Sequence, residues 1–113
     1  MPCIQLKTSV SVSAEHENNI KSRLGKAIEL IPGKSETWLM VSISGDEHIW
    51  FKGNNKPAAF VDVSVFGREN AQAFNDLTAA ICDILNDELN IPADRIYVKY
   101  SVTAHWGWNG GNF

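Results

Sequence analysis

The 113-residue sequence predicts an α/β (α+β) fold made of two similar strand–helix–strand units, and three observations support this prediction. Alternating apolar and polar residues, typical of strands with one covered face, begin near residues 3, 38, 60 and 95. A segment of helical spacing follows the first and the third of these strands. The second half repeats the strand positions of the first half at an offset of 57 residues. We therefore expect a pseudo-twofold βαβ repeat in one domain over residues 1–113, with a four-stranded mixed sheet, two helices on one face and short ribbon strands.

The first unit begins with the strand Cys3–Thr8, in which apolar and polar residues alternate. Ser13 then precedes a helical pattern with glutamates in its first turn, and Pro32-Gly33 ends that pattern. A second strand is predicted over Thr37–Ser44. The short apolar piece Ile49–Phe51 after it predicts a ribbon strand.

The second unit repeats this order. Its first strand is predicted over Phe60–Phe66, where three valines alternate with polar residues, and Gly67 ends it. A long amphipathic helix is predicted from about Asn70 to Leu89, and a strand over Arg95–Ser101. The chain closes on a Gly-rich aromatic tail.

One face of the predicted sheet is too polar to form a dry core. If the valine and leucine positions face the helices, the opposite face presents Gln5, Lys7, Met40, Ser42, Asp62, Ser64 and Lys99. The sequence also contains four tryptophans, more large aromatic surface than a domain of this size buries easily. We therefore expect several subunits to arrange their sheets around a partly solvated interior, with aromatic side chains at the contacts.

Composition excludes several classes of function. Ten basic against thirteen acidic side chains give a net charge of −3 and no basic run, which argues against nucleic-acid binding. No apolar run approaches the roughly 18 residues of a membrane span, and no export signal is visible. We expect no membrane association, and a location in the cytoplasm or secretion without a signal peptide.

Cysteines and histidines offer no metal or redox motif. Cys3 and Cys82 stand far apart, so we expect two ordinary buried thiols. The three histidines have no ligand spacing, and we expect neither a metal nor a cofactor.

Pro2 is the residue with the most specific chemistry. Removal of Met1 leaves its nitrogen as a free secondary amine on a rigid ring. An α-amino group has a pKa of about 7.7–8.0, close to the range of a general base at neutral pH. A shift of two units needs about 2.7 kcal/mol, which burial or a nearby cation can supply.

Short motifs spread over essentially the whole chain resemble those of the macrophage migration inhibitory factor family of the tautomerase superfamily. No single motif is specific, and the resemblance depends on their joint placement. They are Met1-Pro2, Gly33-Lys34, Val65-Phe66-Gly67, Asp94-Arg95-Ile96-Tyr97, Gly107-Trp108-Asn109 and the terminal Phe113.

This resemblance implies a homotrimer with active sites at its subunit boundaries. It implies an isomerase that interconverts keto and enol forms of aryl pyruvates such as phenylpyruvate, with dopachrome as a further substrate. Pro2 would be the catalytic base and Lys34 would bind the substrate carboxylate. The residues implied as the pocket wall are Trp38, Phe66, Tyr97, Trp106, Trp108 and Phe113. Tyr97 and Lys99 would come from the neighbouring subunit.

Three positions depart from the family's best-known members. The C-x-x-C of those members is absent at Ala58–Val61, so thiol oxidoreductase activity is not expected. Lys99 replaces an amide, which predicts a more cationic pocket. Trp106 replaces a small aliphatic residue, which predicts a narrower one.

Two other functions stay open on the sequence. The first is a cytokine-like signalling protein that binds a receptor and retains only a vestigial pocket. The second is a ferredoxin-like binding module, such as an RNA-recognition domain, whose element order is similar. The second is disfavoured because such domains need exposed aromatics on a basic sheet face.

Overall fold

The computed structural model describes every residue from Met1 to Phe113. Its strands are β1 Pro2–Thr8, β2 Met40–Ser44, β3 Ala59–Phe66, β4 Ile96–Thr103, β5 Gly107–Trp108 and β6 Gly111–Asn112. Its helices are α1 Ala14–Ala27 and α2 Ala71–Leu89. Short 3₁₀ turns cover Ile28–Leu30, Glu36–Trp38 and Ala93–Arg95. No helix is both long enough and apolar enough to cross a bilayer.

The first four strands form one mixed sheet in the order β2-β1-β3-β4. Within each unit the strands are parallel, β1 with β2 and β3 with β4, and the two units meet through the antiparallel pair β1 and β3. The predicted βαβ repeat and mixed sheet are confirmed. Because β1 is paired on both sides, its first residue, Pro2, has a defined partner in Val65.

The core lies between the sheet and both helices. The inward positions of the central strands alternate as predicted, and their side chains are at most 2% exposed: Ile4, Leu6, Val61, Val63 and Val65. They pack against buried helical residues including Ile20, Leu24, Leu77 and Ile81. The opposite face of the sheet is left uncovered, in line with its polar sequence.

Side-chain caps define the helix starts. The Ser13 hydroxyl accepts a hydrogen bond from the His16 amide at 3.1 Å, and the Asn70 side chain accepts one from the Ala73 amide at 3.0 Å. Each cap satisfies an amide that has no partner within the helix. Helix α2 ends at Asn90, whose left-handed backbone (φ 56°) stops further propagation.

The structure corrects the expected strand Thr37–Ser44. Residues 36–38 form a 3₁₀ turn, and strand pairing begins only at Met40, opposite Cys3. The alternating pattern continued through Trp38, but a pattern of apolar residues does not say where a pairing partner begins. The turn therefore places Trp38 before the paired part of the strand, where it lines the cavity described below.

The predicted ribbon at Ile49–Phe51 is reduced to one isolated bridge between Phe51 and Asn54. A hairpin forms instead in the tail, where β5 pairs with β6. Its turn is Asn109-Gly110, with φ of 52° and 87°. An Asn-Gly pair suits a tight hairpin because both residues tolerate positive φ. Cys3 and Cys82 are only partly buried, which also differs from the expectation of two buried thiols.

Polar contacts join the two helices on the outer surface of the protein. Glu88 of α2 lies 3.2 Å from His16 Nδ1, accepts a hydrogen bond from Asn19 at 3.2 Å and pairs with Arg23 at 3.3 Å. Arg23 also reaches Asp87 at 3.0 Å. The hydrogen bond with His16 lowers the pKa of the Glu88 carboxyl; partial desolvation opposes this, and Asn19 and Arg23 reinforce it.

We expect Glu88→Gln to destabilise the protein at neutral pH and to have little effect in strong acid. A carboxyl whose pKa is lowered by folding adds stability above its unfolded pKa of about 4.3, and this is lost as pH falls through the lower folded pKa. Urea unfolding at pH 7 and in strong acid measures the difference. Glu29→Gln, at an exposed and unpaired glutamate, is the control. An equal penalty at both pH values would contradict the assignment.

Candidate active site

An open cavity of ≈ 840 Å³ lies on the polar face of the sheet, at the end where β1 begins. Its floor comes from strand residues that the register places side by side: Cys3 lies opposite Met40 and Ser64, and Ser64 lies opposite Ser101. Side chains two apart on a strand share a face, so a period of two brings Gln5 to the same floor. The cavity therefore follows from the sheet register.

Aromatic side chains form the wall of this cavity. Trp38, from the 3₁₀ turn, and Trp108, from β5, meet edge to face with ring centroids 5.0 Å apart. Phe113 stacks on Trp108 at 6.0 Å and contacts Phe66 at 5.8 Å. The tail hairpin places these rings, and the Phe113 amide donates to the Trp106 carbonyl at 3.0 Å.

The beginning of the chain lies at the edge of the cavity and is connected to Lys34 through the backbone of one residue, Phe66. The Phe66 amide donates a hydrogen bond to the Met1 carbonyl at 2.9 Å. The Phe66 carbonyl accepts one from Lys34 Nζ at 2.7 Å. Pro2 is buried. No carboxylate lies within ion-pair distance of Lys34. The amine end of the chain therefore faces an uncompensated cation.

This environment changes the acidity of the chain's α-amine. Burial, followed by a hydrogen bond to Lys34 and the positive charge of Lys34, lowers the pKa of the Met1 amine from 8.0 to about 6. All three causes disfavour the protonated form, since the ammonium loses hydration, the hydrogen bond from Lys34 needs the neutral amine as its acceptor, and Lys34 is a like charge. An amine at this position is therefore largely neutral at pH 7 and available as a base.

The structure brings seven of the nine residues suggested by the sequence to one end of the sheet. Pro2, Trp38, Trp106 and Trp108 line the cavity. Lys34 and Phe66 line an adjoining cleft of ≈ 270 Å³. The seventh, Phe113, lies against Trp108.

Tyr97 and Lys99 lie outside this group. Tyr97 pairs with Phe60, five residues along β3 from the partner of Pro2, which is about 16 Å at the usual strand rise. Its ring packs on Phe51 at a centroid distance of 4.6 Å. Within one chain, neither residue contributes to the cavity, so any role there requires a second subunit.

Lys99 also has a partner that the sequence did not reveal. Its Nζ lies 3.7 Å from Asp62 Oδ2, directly across the strands, while Asp62 Oδ1 is buried without a hydrogen-bond partner. The expectation of a strongly cationic contribution from Lys99 is therefore weakened, because Asp62 offsets part of its charge.

Sequence reasoning also missed several cavity residues. It placed Gln5, Met40 and Ser64 on the open face without connecting them to the pocket. It gave no place there to Cys3, Ser101 and Thr103, which also line the cavity. Their period-two spacing was the available signal. The backbone amide of Phe66 has no sequence signal at all. No three His, Cys, Asp or Glu side chains gather into a group able to hold a metal ion.

The fold and this site define a class of small α+β proteins in which the start of a central strand presents an amine to an aromatic pocket. Comparison with known proteins identifies the class. The family model for macrophage migration inhibitory factor matches residues 1–113. The chain therefore belongs to the macrophage migration inhibitory factor family.

Individual relatives agree over the full length. The chain is 30% identical to macrophage migration inhibitory factor of Xenopus laevis, covering 100% of this chain and 99% of the relative. It is 36% identical to Leishmania major MIF2, whose crystal structure superposes with a TM-score of 0.94 over 100% of this chain and 97% of the other. The homologue from Prochlorococcus marinus is 30% identical, with a TM-score of 0.89 and 98% of both chains covered.

We expect Lys34→Met to raise the pKa of the α-amine of the chain that retains Met1. The substitution removes a like charge and a hydrogen bond that together disfavour the ammonium, so the pKa should move from about 6 toward 8.0. The pH dependence of acetylation of the α-amine, followed by peptide mass spectrometry, reports this value. Lys21→Met, on the exposed surface of α1, serves as the matched control. An unchanged titration in Lys34→Met would show that Lys34 does not influence the amine.

Proposed function

We propose that this protein is a tautomerase that interconverts keto and enol forms of phenylpyruvate-like 2-oxo acids, with the Pro2 amine as its base once Met1 is removed. One observation carries the proposal. The α-amine of Met1 lies at an aromatic cavity beside an unpaired lysine, and burial together with Lys34 lowers its pKa to about 6. The Pro2 amine, one residue along the chain, is proposed to meet the same two influences. A neutral amine next to a cation and aromatic walls suits proton transfer on an aryl-substituted acid.

Removal of Met1 prepares the site in two ways. It exposes the Pro2 nitrogen as a secondary amine, and it removes the carbonyl that accepts the Phe66 amide hydrogen bond. The freed N–H then lies next to the amine and next to Lys34, which the Phe66 carbonyl holds at 2.7 Å. An N–H donor and an ammonium group together suit a carboxylate, because charge-assisted hydrogen bonds are stronger than neutral ones.

The proton transfer balances without a cofactor. In the enol-to-keto direction the Pro2 amine accepts the enol hydroxyl proton, and the ammonium returns a proton to the neighbouring carbon, C3. In the reverse direction the amine takes a C3 proton, and the resulting ammonium gives a proton to the enolate oxygen. Lys34 stabilises the negative charge that accumulates on the carboxylate and the enolate oxygen.

The aromatic wall favours a substrate with a ring at C3. Trp38 and Trp108 are about half exposed, at 47% and 53%, and they offer flat surface to an aryl group. Edge-to-face and stacked contacts add about 0.5–1.5 kcal/mol per aromatic pair to the burial of apolar area.

A homotrimer is part of the proposal, because the chain exposes apolar side chains at both ends of the sheet. Trp38, Met40, Trp108 and Phe113 are exposed at the amine end, and Trp50, Phe60 and Tyr97 are exposed at or near the other end. A head-to-tail contact that repeats around a ring covers both sets and closes the assembly. It also brings Tyr97 and Lys99 of one subunit to the cavity of the next, where the Tyr97 hydroxyl donates to the enolate oxygen.

We expect conversion of the Pro2 amine into an amide to abolish tautomerisation. Insertion of one Ala between Met1 and Pro2 does this and keeps every side chain, while Pro2→Gly tests the ring. Deuterium exchange at C3 of phenylpyruvate, followed by NMR, measures the activity. With native Pro2, kcat/KM should rise with pH through a pKa well below 8, since only the neutral amine accepts a proton.

Intact mass supplies the control for each sample, because the native protein must lack one Met residue and the insertion variant must begin at Ala. An insertion variant that exchanges C3 protons as fast as the native protein would rule out catalysis by the amine. Retention of Met1 in the native protein together with full activity would have the same consequence.

We expect Trp106→Val to favour larger substrates. Trp106 lines the cavity beside Trp108, and its loss opens space for an aryl group. The ratio of kcat/KM for phenylpyruvate to that for 2-oxobutanoate should rise by roughly tenfold, the scale on which a pocket discriminates small differences in bulk. His105→Ala, at the exposed neighbouring side chain, should leave the ratio unchanged. An unchanged ratio in Trp106→Val would mean that Trp106 does not restrict the pocket.

A further inference from the structure

Arg95 is a buried cation with no acidic partner. It is 7% exposed, and no carboxylate lies within ion-pair distance of it. Its guanidinium instead donates to backbone carbonyls: Nε to Pro57 at 3.2 Å, Nη1 to Phe51 at 2.7 Å, and Nη2 to Lys56 at 2.8 Å and Asn54 at 3.5 Å. Such an arrangement satisfies the donors of a buried arginine without neutralising its charge.

All four carbonyls belong to residues 51–57, the segment that leads into β3. Its other polar side-chain interactions are an exposed ion pair of Lys52 with Asp94 at 3.8 Å and local hydrogen bonds of the Asn54 side chain. Phe51 and Asn54 exchange two backbone hydrogen bonds across a turn in which Lys52 and Gly53 both have positive φ. Arg95 therefore sets the conformation of the segment, since loss of its guanidinium leaves several carbonyls without a donor.

The same guanidinium also fixes an aromatic ring. Its central carbon lies 5.1 Å from the centroid of the Phe51 ring, a distance suited to a cation–π contact. Two further side chains contact the Phe51 ring: Tyr97, at 4.6 Å with the rings tilted by 53°, and Lys52, whose Nζ lies 5.5 Å from the ring centroid. Tyr97 is 62% exposed on an edge strand, so its ring has little other support. Arg95, Phe51 and Tyr97 thus form one continuous contact.

We propose that Arg95 is a positioning residue for catalysis: through Phe51 it orients the Tyr97 hydroxyl that enters the active site of the neighbouring subunit. The inference rests on the proposed function, because it requires Tyr97 to act across a subunit boundary. Arg95 itself touches no substrate. Its effect reaches the reaction through the angle and position of one phenol.

The chemistry of the side chain explains why arginine occupies the position. Guanidinium carries five N–H donors in a planar fork, and it reaches four carbonyls while one face covers a ring. A lysine has three donors on a single atom and no planar face. Arg95→Lys therefore keeps the charge but cannot keep the Phe51 carbonyl and the Phe51 ring in place together.

The experiment compares kcat and KM for C3 exchange of phenylpyruvate in Tyr97→Phe, Phe51→Leu, Arg95→Lys and the double variant Phe51→Leu/Tyr97→Phe. Tyr97→Phe should lower kcat by about 100-fold, the usual effect of losing one donor to a developing oxyanion. Phe51→Leu and Arg95→Lys should lower kcat by about tenfold with KM nearly unchanged, because a displaced hydroxyl costs less than an absent one. In the Tyr97→Phe background, Phe51→Leu should have almost no further effect.

Arg23→Lys is the matched control, since it makes the same exchange at an arginine that pairs with Asp87 and Glu88 on the outer surface of the helices. Rates are measured on the assembled oligomer, isolated and sized by ultracentrifugation. A merely structural role would lower the amount of oligomer or its melting temperature and leave its kcat unchanged.

The outcomes distinguish a failure of the role proposed for Tyr97 from a failure of the role proposed for Arg95. If Tyr97→Phe leaves kcat unchanged, the role of Tyr97 in the proposed function is wrong. The positioning role of Arg95 is then wrong as well, because it acts through Tyr97. If Tyr97→Phe lowers kcat but Phe51→Leu and Arg95→Lys do not, the positioning role of Arg95 is wrong and the proposed function stands. Multiplicative effects of Phe51→Leu and Tyr97→Phe would also overturn the positioning role.

Discussion

The pairing of β1 on both of its edges is the constraint on which the rest of this structure depends. A first strand at the edge of a sheet leaves its start free to fray, whereas β1 is hydrogen-bonded to β2 and β3 and buries Ile4 and Leu6 under the helices. Its register places Pro2 opposite Val65. Phe66 follows Val65, and its carbonyl accepts a hydrogen bond from Lys34 Nζ. The same register therefore brings the Lys34 cation close to the amine. A shift of one residue would turn Ile4 and Leu6 to the open face and separate the amine from Lys34.

The electrostatics of the sheet depend on which of its lysines has a carboxylate partner. Burial lowers the pKa of the Met1 α-amine, and a hydrogen bond with Lys34 and the charge of Lys34 lower it further. That charge has no carboxylate partner within ion-pair distance. Lys99 is different, because Asp62 lies 3.7 Å away across the strands. The sequence alone does not distinguish these two lysines. In the structure Lys99 has a carboxylate partner and Lys34 has none. This difference supports Lys34 as the carboxylate-binding group and makes Lys99 a weaker contributor to an anionic site.

The two ends of the sheet carry different parts of one proposed site. The amine end holds the proposed base, the cation and three of the four tryptophans, while the Arg95 contacts lie at the opposite end around Phe51 and Tyr97. A single chain cannot join them, since about 16 Å of strand lies between. The proposed ring of identical subunits would bring the two ends together with one repeated interface. In such a design the stability of the assembly and the completeness of the site arise from the same exposed aromatic side chains.

The sequence by itself determined the βαβ repeat, the buried valine and leucine positions and the polar open face, because strand and helix periodicities are local properties of the chain. It suggested Pro2 as a base from the chemistry of a terminal secondary amine. It also led to Lys34 and the aromatic residues by resemblance. It did not locate the start of β2 at Met40 or the tail hairpin. It also did not reveal the ion pair of Lys99 with Asp62 or the backbone of Phe66, which links Met1 to Lys34. Those features depend on which distant residues become neighbours, and register and backbone hydrogen bonds leave no mark on side-chain pattern. Only the tertiary structure decided, therefore, that Lys34 rather than Lys99 acts as an unpaired cation beside the amine.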